Sequence, residues 1–263
     1  MGTHATFSRS LRIQARVIGA LLMREILTRY GRHNIGFMWL FVEPMIFTLG
    51  ITALWSMVKV THGTSLPITE FALTGYSTVL LWRNAVNRCN LAIAPNLSLL
   101  FHRNVRVIDL FAARLLLEFA GATISFFVLS IIFISVGWAT PPKDILKILE
   151  AWGLLMWYAV GLGLIIGSLS ERSETVDRVW HTITYLIFPL SGAAFMVDWI
   201  PKTAQQLVLL LPMVHGVELL REGYFGSTFH FHYNLTYFAT MNLILLFVGL
   251  ALARETGRRV EPE

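Results

Sequence analysis

The chain has 263 residues, of which 55% are hydrophobic and only 14% are charged. This balance leaves too little polar surface to cover a soluble fold, and it predicts an integral membrane protein instead. The net charge of +5 does not indicate a nucleic-acid partner, because the basic residues are scattered between apolar stretches and bear on membrane topology. The single cysteine excludes an internal disulfide bond and a cysteine-rich metal site.

Residues 9–32 have the pattern of an amphipathic helix lying on a membrane surface. Arg9, Arg12 and Arg16 share one face, and apolar residues recur at intervals of four and three on the opposite face. The position of this segment directly before an apolar stretch favours an interfacial helix over an ordinary surface helix. We therefore predict a cytoplasmic interfacial helix in residues 1–34, to which the resemblance described below adds the role of a gate, followed by a single membrane domain in residues 35–263.

Six apolar stretches approach the length of about 20 residues that a helix needs to cross the hydrocarbon core. Glu70 and Arg83 make the second of these stretches the weakest prediction. A further stretch near residues 198–226 is interrupted by prolines and a glycine, which predicts a pair of short re-entrant helices. The six predicted spans are residues 35–58, 68–86, 114–138, 145–169, 179–197 and 233–253.

The distribution of basic residues favours six crossings with both termini in the cytoplasm. In this topology, 16 of the 21 lysines and arginines lie on the cytoplasmic side, as the positive-inside rule requires. A seventh crossing would move the C-terminal arginines outside and weaken the agreement. The longest cytoplasmic connection then comprises residues 84–110, and its polar residues predict a short helix with polar ends.

Motifs for bound cofactors are missing from the sequence. A phosphate-binding loop needs glycines ahead of a lysine that is followed by serine or threonine, and Lys202, the one lysine followed by threonine, has a proline before it. His230 and His232 have no accompanying acid or cysteine, so we predict no metal site. The chain itself is therefore expected to be a transport component without a cofactor and without enzymatic activity.

Two energy sources are compatible with a transporter that lacks an ATP site. Either a separate ATPase docks onto the chain, or an ion gradient drives transport. In an ion-driven carrier, the candidate ion sites are Glu43, Glu118 and His181, because charged groups are costly within the membrane. The sequence has neither the internal repeat nor the dense acidic cluster that would favour such a carrier.

Three glycines in the fourth predicted span indicate close helix packing. Gly161, Gly163 and Gly167 leave a shallow groove that another helix can enter. The approaching helix can belong to the same bundle, which we favour, or to a second subunit.

Four regions carry a resemblance to a known family. The first is 24–44, with the series Thr28-Arg29-Tyr30-Gly31-Arg32; the others are 73–84, 102–114 and 211–221. These regions resemble ABC-2 type exporter permeases, and in particular their capsular-polysaccharide export branch. The wider family often has an asparagine before the proline of the fourth region, where this chain has Leu211.

The resemblance implies an all-α integral membrane protein with the ABC-2 (type V) exporter fold. It would have six transmembrane helices, an N-terminal cytoplasmic interfacial helix and re-entrant helices before the last span. The expected assembly is a homodimer in the bacterial inner membrane with two copies of a separate ABC ATPase, which would bind Mg-ATP.

The substrate implied by the resemblance is a lipid-linked capsular polysaccharide, moved from cytoplasm to periplasm through a channel at the dimer interface. Periplasmic and outer-membrane capsule export proteins would be further partners. An O-antigen or teichoic-acid exporter of the same fold is the alternative within the family, and the ion-driven carrier is the alternative outside it.

The resemblance also assigns roles to three groups of residues. In the cytoplasmic connection, where the family has its coupling helix, the candidates for ATPase contact are Asn87, Arg88, Asn96, His102 and Arg103. The candidates for the substrate path and gate are Arg29, Tyr30, Arg32, Trp39, Glu43 and Arg83. The candidates for the periplasmic exit are His215, Glu218 and Arg221.

Each group also has a simpler interpretation. The arginines of the connection can hold it at anionic headgroups, and aromatic residues such as Tyr30 and Trp39 can belong to an interfacial belt. Glu43 can pair with a neighbouring arginine. Glu218, Arg221 and Glu222 can pair with each other, because they lie within one helical turn.

Overall fold

The computed structural model describes residues 7–30, 34–62, 68–100 and 105–260, with the backbone alone at residues 7, 8, 30, 34–37 and 58–62. Its α-helices are α1 (Phe7–Tyr30), α2 (Asn34–His62), α3 (Ile68–Cys89), α4 (Leu97–Leu100), α5 (Val107–Ser135), α6 (Ile145–Ser170), α7 (Glu174–Leu190), α8 (Lys202–Val208), α9 (Pro212–Phe225) and α10 (Leu235–Val260). Short 3-10 turns lie at Ala94–Asn96, Val197–Trp199 and Gly226–Thr228.

Helices occupy the positions of all six predicted spans. Within the described ranges, four helical segments are long and apolar enough to cross a membrane: Met38–Met57 of α2, and α5, α6 and α10. The region 198–226 contains two short helices, α8 and α9, as predicted; they meet at a bend of 108° and would make a fifth span if counted as one. α3 and α7 do not meet this criterion, so six crossings remain a prediction.

Two helices differ in extent from the spans predicted there. α5 begins at Val107 rather than at residue 114, because Asp109 accepts a 2.9 Å hydrogen bond from the backbone amide of Arg106 and caps the helix there. α7 covers Glu174–Leu190 rather than residues 179–197; the side chain of Ser173 caps its start, and a turn with Gly192 at φ +83° follows its end.

α3 is the central helix of the subunit. It packs against α2, α5, α6 and α9, and most of its side chains are buried. The hydroxyls of Thr74 and Thr78 donate to the backbone oxygens of Glu70 (2.8 Å) and Gly75 (2.6 Å), so their polar groups are satisfied within the helix. Since protein rather than lipid surrounds α3, it can be polar, and this explains its weak hydropathy signal.

The glycines of α6 allow close packing inside the bundle, which confirms the interpretation we favoured. A Cβ atom on Gly161 would lie 2.8 Å from the backbone nitrogen of Leu246 in α10, and one on Gly249 would lie 2.8 Å from the carbonyl oxygen of Gly161. On another side of α6, a Cβ on Gly167 would lie 2.7 Å from the backbone oxygen of Cys89 in α3. α6 therefore approaches both α10 and α3 at backbone distance.

Candidate gate and coupling site

α1 is fixed to the rest of the subunit by polar side chains spread along its length. Near its start, the amide of Gln14 donates to Asp109 at the beginning of α5. Further along, Arg24 donates to the side-chain oxygen of Asn96, in the connection between α3 and α5. These contacts place the predicted interfacial helix directly against the predicted coupling segment.

Arg29, in the last turn of α1, belongs to a cluster of four charged residues. The other three are Glu43, Arg88 and Glu118, and we call the group the Glu118 cluster. Arg29 donates to the carboxylate of Glu118 in α5, and Nε of Arg88 in α3 donates to the same oxygen at 3.0 Å. A nitrogen of Arg29 also lies 3.8 Å from Glu43 of α2. The side chain of Glu118 is only 8% exposed, so these contacts join four helices around a buried carboxylate.

A second ion pair lies beside the Glu118 cluster. Nε of Arg114 in α5 lies 2.6 Å from the carboxylate of Glu25 in α1. Nη1 of Arg114 donates at 2.8 Å to the backbone oxygen of Arg88, near the C-terminal end of α3, where a cation is favoured by the helix dipole. The end of α3 is thus connected to α1 in two ways: through Glu118, and through Arg114 and Glu25.

The structure places the coupling candidates in different surroundings. Asn87 and Arg88 belong to α3, which continues to Cys89, rather than to the connection. Asn87 accepts a 2.8 Å hydrogen bond from the indole of Trp180, and Asn96 is buried and donates to the backbone oxygen of Ala92. These two asparagines hold the segment in place within the subunit. His102 and Arg103 lie outside the described residues, so the docking role of the whole group remains a prediction.

The gate candidates on α2 share one helical face. Trp39 is 53% exposed, and the side chain of Glu43 is 69% exposed. Ile46 and Gly50 continue the same face toward the middle of the helix and are also exposed, and a Cβ on Gly50 would meet no atom within 4 Å. This face of the isolated subunit is therefore open and carries one acidic group.

The other gate candidates lie on other segments of the chain. Arg83 of α3 is partly buried, and its guanidinium carbon lies 5.1 Å from the ring centroid of Phe188 in α7, which is a cation–π distance. Arg29 belongs to the Glu118 cluster. The side chain of Tyr30 and all of Arg32 lie outside the described residues.

At the opposite end of the subunit, Glu218 and Arg221 of α9 are fully buried, and their charged groups lie 3.8 Å apart, which confirms the pairing considered from the sequence. Arg221 donates to the backbone oxygens of Ala193 (2.9 Å) and Phe195 (2.6 Å), in the turn after α7. Glu218 accepts backbone hydrogen bonds, including one of 3.1 Å from His232 before α10. The pair therefore fixes α9 to the segments on both sides of it.

His215, also in α9, likewise forms hydrogen bonds to the backbone of the segments on both sides of its helix. Its Nδ1 accepts a 3.0 Å hydrogen bond from the backbone amide of Asn234, and its Nε2 lies 2.9 Å from the backbone oxygen of Leu209. Because Nδ1 is an acceptor, Nε2 carries the proton and donates to Leu209, so the imidazole is neutral. The predicted role of His215, Glu218 and Arg221 at an exit remains a prediction.

Residues 16–225, which contain most of α1 and every helix through α9, match the model of the family described as ABC-2 type transporter. The chain belongs to this family. It is 47% identical over 258 residues to the capsule polysaccharide export inner-membrane protein CtrC of Neisseria meningitidis serogroup B, covering 98% of this chain and 97% of the relative.

Two further relatives of this ABC-2 transporter chain cover nearly the same extent. The capsule polysaccharide export inner-membrane protein BexB of Haemophilus influenzae is 43% identical over 262 residues, with 100% of this chain and 99% of the relative covered. The polysialic acid transport protein KpsM of Escherichia coli is 30% identical over 245 residues, with 92% and 94% covered. The resemblance inferred from the four sequence regions is thereby confirmed at family level.

The way in which the charged residues of this ABC-2 chain combine was not predicted from its sequence. Glu118 was considered only as an ion site, and Glu25 and Arg114 were not named as functional candidates. One sign of an ion pair was visible in the sequence, because Glu25 interrupts an otherwise basic helix. The pairing itself could not be derived, since Arg29 and Glu118 are 89 positions apart.

Proposed function

We propose that this chain is the permease subunit of an ATP-driven exporter that moves lipid-linked capsular polysaccharide from the cytoplasm to the periplasm. The observation that carries the proposal is the 47% identity to a capsule polysaccharide export inner-membrane protein over 98% of this chain. The names of the other relatives refer to capsule or polysialic acid, which favours this substrate class over O-antigen or teichoic acid.

The energy source in this proposal is a separate ABC ATPase, two copies of which bind Mg-ATP beneath a homodimer of this chain. The docking region is the end of α3 together with the connection to α5, where Arg88 is 46% exposed on its side chain. His102 and Arg103 complete this region. The chain supplies the docking surface and the path for the substrate, and it carries out no chemistry.

The substrate path in this proposal lies between the two subunits. A polysaccharide is too long to be enclosed in one pocket, so it requires a continuous channel. The open face of α2 supports this assignment, because Trp39 offers an aromatic surface for sugar rings and Gly50 leaves room for a chain to pass. The arginines among the gate candidates, Arg29, Arg32 and Arg83, would bind acidic sugars and phosphate through charge-assisted hydrogen bonds.

The Glu118 cluster suggests how ATP binding reaches the gate. Arg88 is near the docking region and shares Glu118 with Arg29 of α1. A movement of the end of α3 therefore changes a buried ion pair of the gate helix, and breaking such a pair is costly. We assign to this cluster the mechanical connection between the ATPase and α1.

An ion-driven carrier is less compatible with the same geometry. Glu118 is already neutralised by two arginines, and Glu43 lies 3.8 Å from Arg29. His181 is largely exposed and lies 3.3 Å from Asp177. Two of the three candidate ion sites thus have cationic neighbours that would compete with a transported cation.

The test is to co-express this chain with its partner ABC ATPase, purify through a tag on this chain only, and measure vanadate-sensitive ATP hydrolysis. The variant H102A/R103A is expected to reduce co-purification and hydrolysis. Arg178→Ala is the matched control, because Arg178 is an exposed arginine with one exposed partner, Glu174. Failure of any ATPase to co-purify, together with capsule export that follows a proton gradient, would contradict the proposal.

A further inference from the structure

A groove of about 620 Å³ lies between the start of α5 and the C-terminal part of α10. Its floor is apolar and includes Val107, Leu250 and Ala253, two of which are buried. Three exposed arginines form its rim: Arg106, the residue before α5, and Arg254 and Arg258 of α10. The groove is separate from the Glu118 cluster and from the open face of α2.

The three arginines leave the groove strongly cationic. All three are exposed, and none forms an ion pair with a carboxylate in the described part of the chain. Glu255, the acid next to Arg254 in sequence, pairs instead with Arg172 and Arg259.

An exposed apolar stripe leads away from this cationic rim along α10. Leu243, Phe247 and Leu250 follow a spacing of four and three residues, and the next positions on the same helical face are Arg254 and Arg258. All three apolar side chains are exposed, and Phe247 is 66% exposed. One helical face therefore presents apolar surface along the span and positive charge at its end.

We propose that this groove binds an anionic phospholipid of the cytoplasmic leaflet. The phosphate contacts Arg106, Arg254 and Arg258, and an acyl chain follows the stripe of α10. The combination selects a lipid over free phosphate, because free phosphate gains nothing from the apolar stripe. It also selects an anionic lipid over a zwitterionic one, because three cations attract a zwitterionic headgroup less strongly. The assignment uses the predicted cytoplasmic position of the C-terminus and does not depend on the substrate.

Native mass spectrometry of the purified exporter complex tests this inference, with phosphatidylglycerol and phosphatidylcholine offered at equal concentration. The wild-type protein should retain phosphatidylglycerol preferentially. The variant R106Q/R254Q/R258Q should lose roughly tenfold or more of that binding, since each cation near the membrane surface contributes to it. The control K143Q/K147Q/K202Q removes the same charge from the predicted periplasmic side, away from this groove and from the interfacial helix α1, and should retain the lipid.

Three outcomes would overturn the inference. The first is equal retention of the two lipids by the wild-type protein, and the second is equal loss in the two triple variants. The third is displacement of the lipid by millimolar inorganic phosphate, which would indicate a site for free anions. Phe247→Ser provides a second test with all arginines intact: it should weaken lipid retention, and an unchanged affinity would contradict a role for the stripe.

Discussion

Arg88 of α3 and Glu118 of α5 are joined by a 3.0 Å hydrogen bond, and Glu118 uses the same oxygen to accept from Arg29 of α1. One buried carboxylate thus connects the proposed docking region with the proposed gate helix. Removing it takes the shared carboxylate away from Arg29, whose side chain is only 20% exposed, and from the half-exposed Arg88, so its effects should extend to both stability and transport.

For Glu118→Ala we expect a loss of about 3 kcal/mol in the free energy of unfolding, because a buried ion pair is broken from one side. Thermal unfolding in detergent would measure this loss. Assays of ATP hydrolysis and of surface capsule, made side by side, should show hydrolysis that continues without export. Glu174→Ala serves as the control, since Glu174 pairs with Arg178 in an exposed position and should change neither quantity. Wild-type stability and export in Glu118→Ala would contradict the connecting role.

Trp39→Ala should reduce export of polysaccharide while leaving the stability of the subunit unchanged. The indole is 53% exposed in the subunit, so its removal opens no cavity, but it takes away an aromatic surface on the proposed channel face. Surface capsule can be quantified by antibody binding to whole cells. Ile131→Ala, at an exposed position of α5, is the control; an equal decrease in both variants would argue against a channel on α2.

Gly161→Ala should destabilise the contact between α6 and α10 by about 1–3 kcal/mol, because the added Cβ would overlap the backbone of α10. Gly153→Ala in the same helix has open space around its Cβ and should be neutral or slightly stabilising. Thermal unfolding of the two variants side by side measures the difference. Equal effects would mean that α10 does not approach α6 so closely.

Glu171, in the turn between α6 and α7, provides a pH-dependent prediction. Burial raises the pKa of its carboxyl above the usual range, although a hydrogen bond from the backbone of Ala94 acts in the opposite direction. A raised pKa in the folded state means that stability is highest at low pH and decreases as the pH rises through this pKa. Glu171→Gln should therefore be slightly more stable than the wild type at pH 8.

This difference should disappear as the pH falls below the ordinary pKa of a glutamate, where both states of the wild-type protein are protonated. Unfolding temperatures measured between pH 4 and pH 8 would provide the comparison. A constant difference across this range would mean that the carboxyl of Glu171 has no raised pKa.

Much of the helical architecture could be predicted from the sequence, because apolar stretches of about 20 residues are a strong signal. The prolines at 201 and 212 likewise predicted the two short helices of that region. The surroundings of α3 could be predicted less well from the sequence, because its polarity weakens the hydropathy signal. Only the helices packed around it show that protein covers it.

The candidate site was less predictable than the fold. Arg29 and Arg88 were each named from the sequence, but in different roles, and nothing local indicated that they share Glu118. Asn96 was expected at a docking surface because it lies in the longest cytoplasmic connection, whereas the structure buries it. Arg24, which donates a hydrogen bond to its side-chain oxygen, lies 72 positions away in the sequence.

The polar character of α3 has a consequence for how the protein is made. A helix with this composition would be unstable among lipid chains by itself, because its apolar surface is too small to compensate for its polar groups. During synthesis α3 therefore has to remain shielded, within the insertion machinery or against α2, until α5 and α6 have been translated.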